Sequence, residues 1–429
     1  YQRYHRGGEG PQEDADRQAH ENRGLGALPA GPGRRKSIRG DAITKHDWTQ
    51  WLAERDADGL ARRLTVADSP QGPRMRIDGR DRLTFCSNDY LGLAADPRLV
   101  QAMCAAAERY GVGAGAAHLI NGHFTPHQQL EDDLADWLDV DAARLFSTGY
   151  MANLGVVGAL VGRGDTVIAD RLNHASLVDA VQLSGARLSR YRHNDLDDLE
   201  VRLSRAKGER LILTDGVFSM DGDAAPIAEL VALAERYDAW LVVDEAHAFG
   251  ALGDEGRGSF AAAGLVPGER VLRVGTLGKA FGTAGAFVAG AAEPLEVLLQ
   301  RARTYLFTTA QPPAVAEASR AALSIMRSEG WRRERLQALV AAFREAAGAL
   351  EGVELMPSAT PIQPLVVGEA GRAVAMAERL AERGLLVPAI RPPTVPRGSS
   401  RLRVTFSAAH EMADLDCLLS ALRECTTMN

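Results

Sequence analysis

Four short apolar runs, each delivering the chain into a polar or glycine-containing turn, limit what this sequence can fold into. Residues 166–169 (TVIA) lead into Asp170 and on to His174, residues 211–213 (LIL) into Thr214 and Asp215, residues 240–243 (WLVV) into Asp244, and residues 271–274 (VLRV) into Gly275 and Thr276. Such runs read as strands buried on both faces, the pattern of a mostly parallel sheet. Helical patterns between them, such as residues 226–233 with Pro226 at a first helical position, supply the crossovers of an α/β fold. In an open parallel sheet, ligands bind beyond the carboxyl ends of the strands. Here those ends offer His174, Ser219, Asp244, His247, Thr276 and Lys279.

The chain has 429 residues, enough for two or three domains at roughly 150 residues each. Residues 1–46 are rich in Gly, Arg, Gln and Glu and read as a disordered extension, or as an artefact at the start of the chain, with no assigned function. The expected organisation is an N-terminal segment over 47–94, a large domain over 95–312 and a smaller C-terminal α/β domain over 313–429. The Pro312-Pro313 pair marks the last boundary, followed by one alanine-rich helical stretch from Ala314 to Leu350. Residues around 362–367, 385–387 and 402–404 form the small sheet, closed by a helix around 415–422.

Forty-nine basic against 56 acidic side chains give a net charge of −7, which disfavours nucleic acid as a general partner. No apolar run approaches the ~20 residues of a membrane-spanning helix. Four scattered cysteines without a CxxC pair fit neither a disulfide framework nor a structural zinc site. With no secretory signal pattern at the start, a cytoplasmic location is expected.

Each candidate residue has a plain structural alternative. Asp244 and His247 (DEAH) could face one ligand, or be a capping aspartate and a surface histidine. Lys279, in the small-residue segment 275–282 (GTLGKAFG), could form a Schiff base if burial supplies its free amine, or be a solvated loop lysine. The segment fails as a phosphate loop, because Arg273 and Ala280 stand where that motif needs glycine and a hydroxyl. Residues 111–116 (GVGAGA) match the dinucleotide fingerprint formally, but they follow a helical pattern at 98–110 rather than a strand. His123 and His127, with His118 nearby, have helical spacing, yet Gly122 and Pro126 interrupt any helix that would present them together, and no metal is assigned.

Five segments in order carry a resemblance: residues 87–93 (SNDYLGL), 173–176 (NHAS), 215–223 (DGVFSMDGD), 244–247 (DEAH) and the lysine segment. On these the chain resembles the fold-type I pyridoxal-phosphate enzymes, and within them the α-oxoamine synthases, over residues 48–425. The resemblance implies a PLP-dependent transferase with a large, mostly parallel α/β domain and a smaller C-terminal one. Residues 390–396 (IRPPTVP) and 407–410 (SAAH) are most similar to the member that joins L-alanine to a pimeloyl thioester in biotin synthesis.

That resemblance implies roles residue by residue. Lys279 would carry the cofactor as a Schiff base and remove the Cα proton. Asp244 would pair with the pyridine nitrogen, keeping the ring an electron sink. His174 would stack on the ring and orient substrate, while His247 and Ser219 would bond the phenolic oxygen side. Gly149, Tyr150 and Thr276 would hold phosphate at the start of a helix near Tyr150. Arg403 with Asn88 would grip the amino-acid carboxylate, Arg391 and Thr394 would line the thioester side, and Arg62, or adjacent Arg63, would contact substrate. Thr308 and Thr309 match a segment that reaches a neighbouring subunit's phosphate, implying a homodimer with shared sites. The thioester carrier is either coenzyme A or an acyl carrier protein. Rival readings are a sibling synthase such as glycine C-acetyltransferase, an aminotransferase on the same fold, and a non-catalytic PLP-binding subunit.

Overall fold

The computed structural model describes residues 48–57, 60–62 and 64–427. The extension over 1–46 therefore lies outside the described residues. The chain divides into two units, Tyr1–Arg62 and Arg63–Asn429. In the first, the helix Trp48–Ala57 buries none of its residues.

The second unit opens with an antiparallel pair, β1 (Arg74–Ile77) and β2 (Arg80–Thr84). The central sheet is built from β3 (Ala142–Phe146), β4 (Thr166–Asp170), β5 (Arg187–Tyr191), β6 (Arg210–Asp215), β7 (Trp240–Asp244), β8 (Val271–Thr276) and β9 (Ala286–Gly290). Their spatial order is β3-β9-β8-β7-β6-β4-β5, and only β9 runs against the others. All four apolar runs are strands of this sheet, and every residue of β4 and β9 is buried. Helices cover both faces: buried clusters involving Val156, Leu177 and Leu295 lie with one set of strand residues, and Leu199, Leu230 and Phe260 with another. Two-sided covering explains why these strands are apolar without alternation.

The C-terminal part contains β10 (Glu354–Leu355), β11 (Ile362–Gly368), β12 (Leu385–Leu386), β13 (Ala389–Ile390) and β14 (Ser400–Thr405). Four of these form a sheet in the order β10-β11-β14-β13. The expected small sheet is thus present except for residues 385–387. There, β12 pairs in parallel with β2, and Leu83 and Phe85 donate to the carbonyls of Gly384 and Leu386 at 2.8 and 2.9 Å. The expected helix from Ala314 to Leu350 is two, Pro313–Ser328 and Trp331–Ala347, separated at Glu329 and Gly330. Pro226 caps the helix Ile227–Arg236 rather than starting it. The helix Pro97–Tyr110 ends at Gly111, so the glycine run that follows is a loop without the strand that a dinucleotide site needs.

Candidate active site

The carboxyl ends of β4, β6, β7 and β8 deliver the candidate side chains to one place. Asp244 ends β7 beside Asp215 at the end of β6, and their Cα positions are in register. The Asp244 carboxylate is buried; its Oδ2 accepts from Asn153 Nδ2 at 2.7 Å and its Oδ1 from the Ala246 N–H at 3.0 Å. No cation of the described residues pairs with it directly. Burial, then the nearby Asp244 charge, push Asp215 well above the usual carboxylate range, although its Oδ2 accepts the His174 N–H at 2.9 Å.

Lys279 follows β8, and its Nζ lies 2.8 Å from Nε2 of buried His247. Loss of hydration lowers the lysine from 10.5 to about 8, although Asp244 and Asp215 act in the opposite direction. Burial, reinforced by Lys279 and Arg403, holds His247 well below its ordinary value. A free amine is therefore accessible near neutrality, the condition a Schiff-base nucleophile needs. His174 caps the helix Ala175–Ser184, with Nδ1 2.7 Å from Ser176 Oγ.

Arg403 projects from β14 on the C-terminal sheet and is buried. Its Nε donates to the Ser219 carbonyl at 2.6 Å, and its two terminal nitrogens lie 3.5 and 3.4 Å from Asn88 Oδ1. The loop after β6 thus aims the guanidinium. Ser219 contributes its carbonyl here, a contact separate from the phenolic oxygen side expected of it.

Gly149 begins the helix Gly149–Leu160, as expected, with Thr148 accepting from the Met151 N–H at 3.2 Å. The Gly149 and Tyr150 N–H groups have no acceptor among the described residues. A Cβ placed on Gly149 would come no nearer than 3.9 Å to the Thr276 Cβ, and one on Gly278 no nearer than 3.7 Å to a carbonyl. Two glycines, the Thr276 hydroxyl and a helix N-terminus therefore frame an open cradle. The Tyr150 hydroxyl is turned away to Asp179.

Other expected residues are less gathered. Thr394 is exposed, its N–H donating to the Arg391 carbonyl at 3.1 Å, and Arg391 is half-buried. Arg62 is exposed in the first unit, and Arg63 lies outside the described residues. His118, His123 and His127 do converge, contrary to the argument from Gly122 and Pro126. A π-helical turn at His118–Gly122 and the start of Thr125–Leu138 bring their ligand atoms within 4.8 Å of one another. His127 Nδ1 accepts from the Phe124 N–H and Nε2 faces the Gln311 carbonyl, while His123 is engaged by Gln128 and His118. Burial first of all keeps all three below their ordinary pKa, so they form a neutral hydrogen-bonded cluster.

The chain matches the aminotransferase class I and II family over residues 80–422. An 8-amino-7-oxononanoate synthase of Ectopseudomonas mendocina is 57% identical over 374 residues, covering 87% of this chain and 96% of the relative. One from Thioalkalivibrio sulfidiphilus is 58% identical over 373 residues, covering 86% and 95%. The chain belongs to the 8-amino-7-oxononanoate synthases. A solved synthase of this name from Francisella tularensis has TM-score 0.71 and 30% identity, covering 80% of this chain and 97% of its own. A serine palmitoyltransferase from S. paucimobilis, solved with PLP and myriocin, has TM-score 0.83 and 32% identity, covering 88% and 96%.

The cofactor of this fold-type I enzyme is pyridoxal 5'-phosphate, and the residues present fit it. The cradle at Gly149, Thr276 and Gly278 has room for a phosphate, and Lys279 supplies the amine. Asp244 is a buried carboxylate without a paired cation, which a protonated pyridine would satisfy.

Sequence reasoning missed Asn153, Tyr90 and Asp215. The Tyr90 hydroxyl lies 2.5 Å from His247 Nδ1, and this fully buried phenol is pushed up to about 12. Asn153 had a signal: it is a lone amide in an otherwise apolar helical stretch, one turn after Gly149.

Proposed function

We propose that this protein is a PLP-dependent acyltransferase that joins L-alanine to a pimeloyl thioester with loss of carbon dioxide, forming 8-amino-7-oxononanoate for biotin biosynthesis. The observation that carries the substrate choice is identity of 55–58% with curated synthases of that name. The solved serine palmitoyltransferase has the higher TM-score but only 32% identity, so its closeness speaks for the shared backbone rather than for serine.

When bound, pyridoxal phosphate supplies the electron sink that stabilises negative charge at the amino-acid Cα. Lys279 Nζ would hold the cofactor by its aldehyde carbon, and as a free amine it would take the Cα proton. Its lowered pKa supports both tasks. Asp244 would hold the pyridine nitrogen protonated, and His174 would lie against the ring. His247 and Ser219 serve the phenolic oxygen side; the 2.8 Å approach of His247 to Lys279 supports the first. Gly149, Tyr150 and Thr276 bind phosphate. Arg403, steadied by Asn88 and the Ser219 carbonyl, binds the alanine carboxylate and thereby orients the bonds that break. Arg391 and Thr394 serve the thioester, carried by coenzyme A or an acyl carrier protein.

The working form is a cytoplasmic homodimer with shared sites. Thr309 pairs with Ala117 in an isolated bridge, and within three residues along the chain of its two ends Ile120 and Phe307 are 79 and 72% exposed. Large apolar side chains exposed there support a protein interface. Thr308 and Thr309 would reach the partner's phosphate from there.

The test is a visible-absorbance titration of the PLP-loaded protein with L-alanine, glycine and L-serine, with Lys279→Ala alongside. Preferential response to L-alanine and loss of turnover in Lys279→Ala are expected. A preference for glycine or L-serine would replace the substrate, and near-normal turnover in Lys279→Ala would overturn the mechanism.

A further inference from the structure

Two buried side chains with no role above connect Asp244 to His174. Asn153 is 1% exposed, and its Nδ2 donates to Asp244 Oδ2 at 2.7 Å and to Ser176 Oγ at 2.9 Å. Ser176 is fully buried in the first turn of Ala175–Ser184, its Oγ 2.7 Å from His174 Nδ1. The Ser176 backbone N–H aims at that same nitrogen from 3.3 Å.

The direction of every bond in this chain follows from its charged end. An ionised carboxylate only accepts, so Asn153 must turn its amide nitrogen toward Asp244. Its second amide hydrogen goes to Ser176 Oγ, which leaves the hydroxyl hydrogen for His174 Nδ1. With two donors aimed at Nδ1, the neutral imidazole carries its hydrogen on Nε2. Nε2 has no protein acceptor among the described residues, and His174 is exposed.

We propose that Asn153 and Ser176 are positioning residues that tie His174 to Asp244 and lock its imidazole in the Nε2–H form. His174 thereby offers one neutral donor to a carbonyl or carboxylate oxygen of bound substrate. The second statement rests on the functional reading above; the tautomer does not. The groups facing the imidazole divide in their effect: burial and Lys279 favour the neutral ring, whereas Asp244 and Asp179 favour the cation, and Asp215 holds the backbone N–H. A proton on Nδ1 would displace the Ser176 N–H bond, so the lock also resists charging.

The experiment is nuclear magnetic resonance of cofactor-free protein labelled with 15N-histidine, with His174 assigned through His174→Gln. The expected spectrum has one His174 tautomer, Nε2–H, at neutral pH; Ser176→Ala mixes the two forms and Ser176→Thr, which keeps the hydroxyl, restores one. In the PLP-loaded protein, Ser176→Ala should weaken L-alanine binding by up to about tenfold, the size of one lost hydrogen bond. An Nδ1–H tautomer in the unaltered protein, or an unchanged tautomer in Ser176→Ala, overturns the proposal. These tautomer readings stand even if L-alanine proves not to be the substrate, so the two failures are distinguishable.

Discussion

Lys279 Nζ and His247 Nε2 meet at 2.8 Å, and on the far side of the imidazole the Tyr90 hydroxyl closes on Nδ1 at 2.5 Å. Burial of the imidazole and the neighbouring cations keep His247 neutral, so the lysine faces an uncharged partner that can accept one of its hydrogens.

The first consequence concerns pH. Only the free amine attacks the cofactor aldehyde, and lowering the lysine to about 8 moves the free fraction into the neutral range. The initial rate of PLP uptake by cofactor-free protein should rise with pH and level off just above 8. Continued rise beyond pH 10, the behaviour of a solvated lysine, would contradict the burial argument.

Arg403 and Asn88 should act on the amino acid rather than on the thioester. Arg403→Lys keeps the charge but loses the planar fork, so kcat/KM for L-alanine should fall by about 10- to 100-fold, and by less in Asn88→Ala. Steady-state kinetics with each substrate varied would check this. An effect confined to the thioester KM would place the arginine elsewhere.

Stability should depend on a pair directly behind Asp244. Glu245 and Arg273 are 0 and 2% exposed with N···O 3.3 Å, and the guanidinium lies 4.8 and 5.1 Å from the ring centres of Phe249 and Phe260. Glu245→Gln leaves a buried cation unpaired and should cost about 3–5 kcal/mol, measured by urea unfolding. Adding Arg273→Met should recover much of the loss.

The lysine-segment glycines should separate into two kinds. Gly282 has φ +69°, and a Cβ there would sit 2.4 Å from the backbone nitrogen of Ala94, so Gly282→Ala should destabilise by about 2 kcal/mol or more. A Cβ on Gly278 would make only ordinary van der Waals contacts, at 3.7 and 3.8 Å, so Gly278→Ala should leave thermal stability unchanged and weaken PLP binding. Differential scanning calorimetry and a PLP titration of both variants would decide it.

Light scattering should find a dimer, and Phe307→Asp should shift it toward monomer with loss of activity, because this exposed ring stands two residues before Thr309, in the segment expected to reach the partner. An active monomer would contradict shared sites.

Asp244 and Lys279 were legible in the sequence because parallel strands advertise their ends: an apolar run buried on both faces must stop where the polar ligand face begins. Asn153 was not, because its role depends on the first turns of the helix Gly149–Leu160 reaching the last residue of β7, a contact between residues 91 positions apart. The pairing of β12 with β2 was hidden for the same reason, since two apolar residues, Leu385 and Leu386, fit either sheet equally well. The histidine cluster shows the converse error, in which local breakers excluded one helix but not a convergence built from a π-helical turn and a helix start.

The most direct measurement uses L-alanine labelled at its carboxyl carbon together with pimeloyl-CoA and the PLP-loaded protein. Labelled carbon dioxide and free thiol should appear in equal amounts, with a product of the mass of 8-amino-7-oxononanoate. Thiol release without labelled carbon dioxide, or transfer of the amino group with the label retained, would contradict decarboxylative condensation.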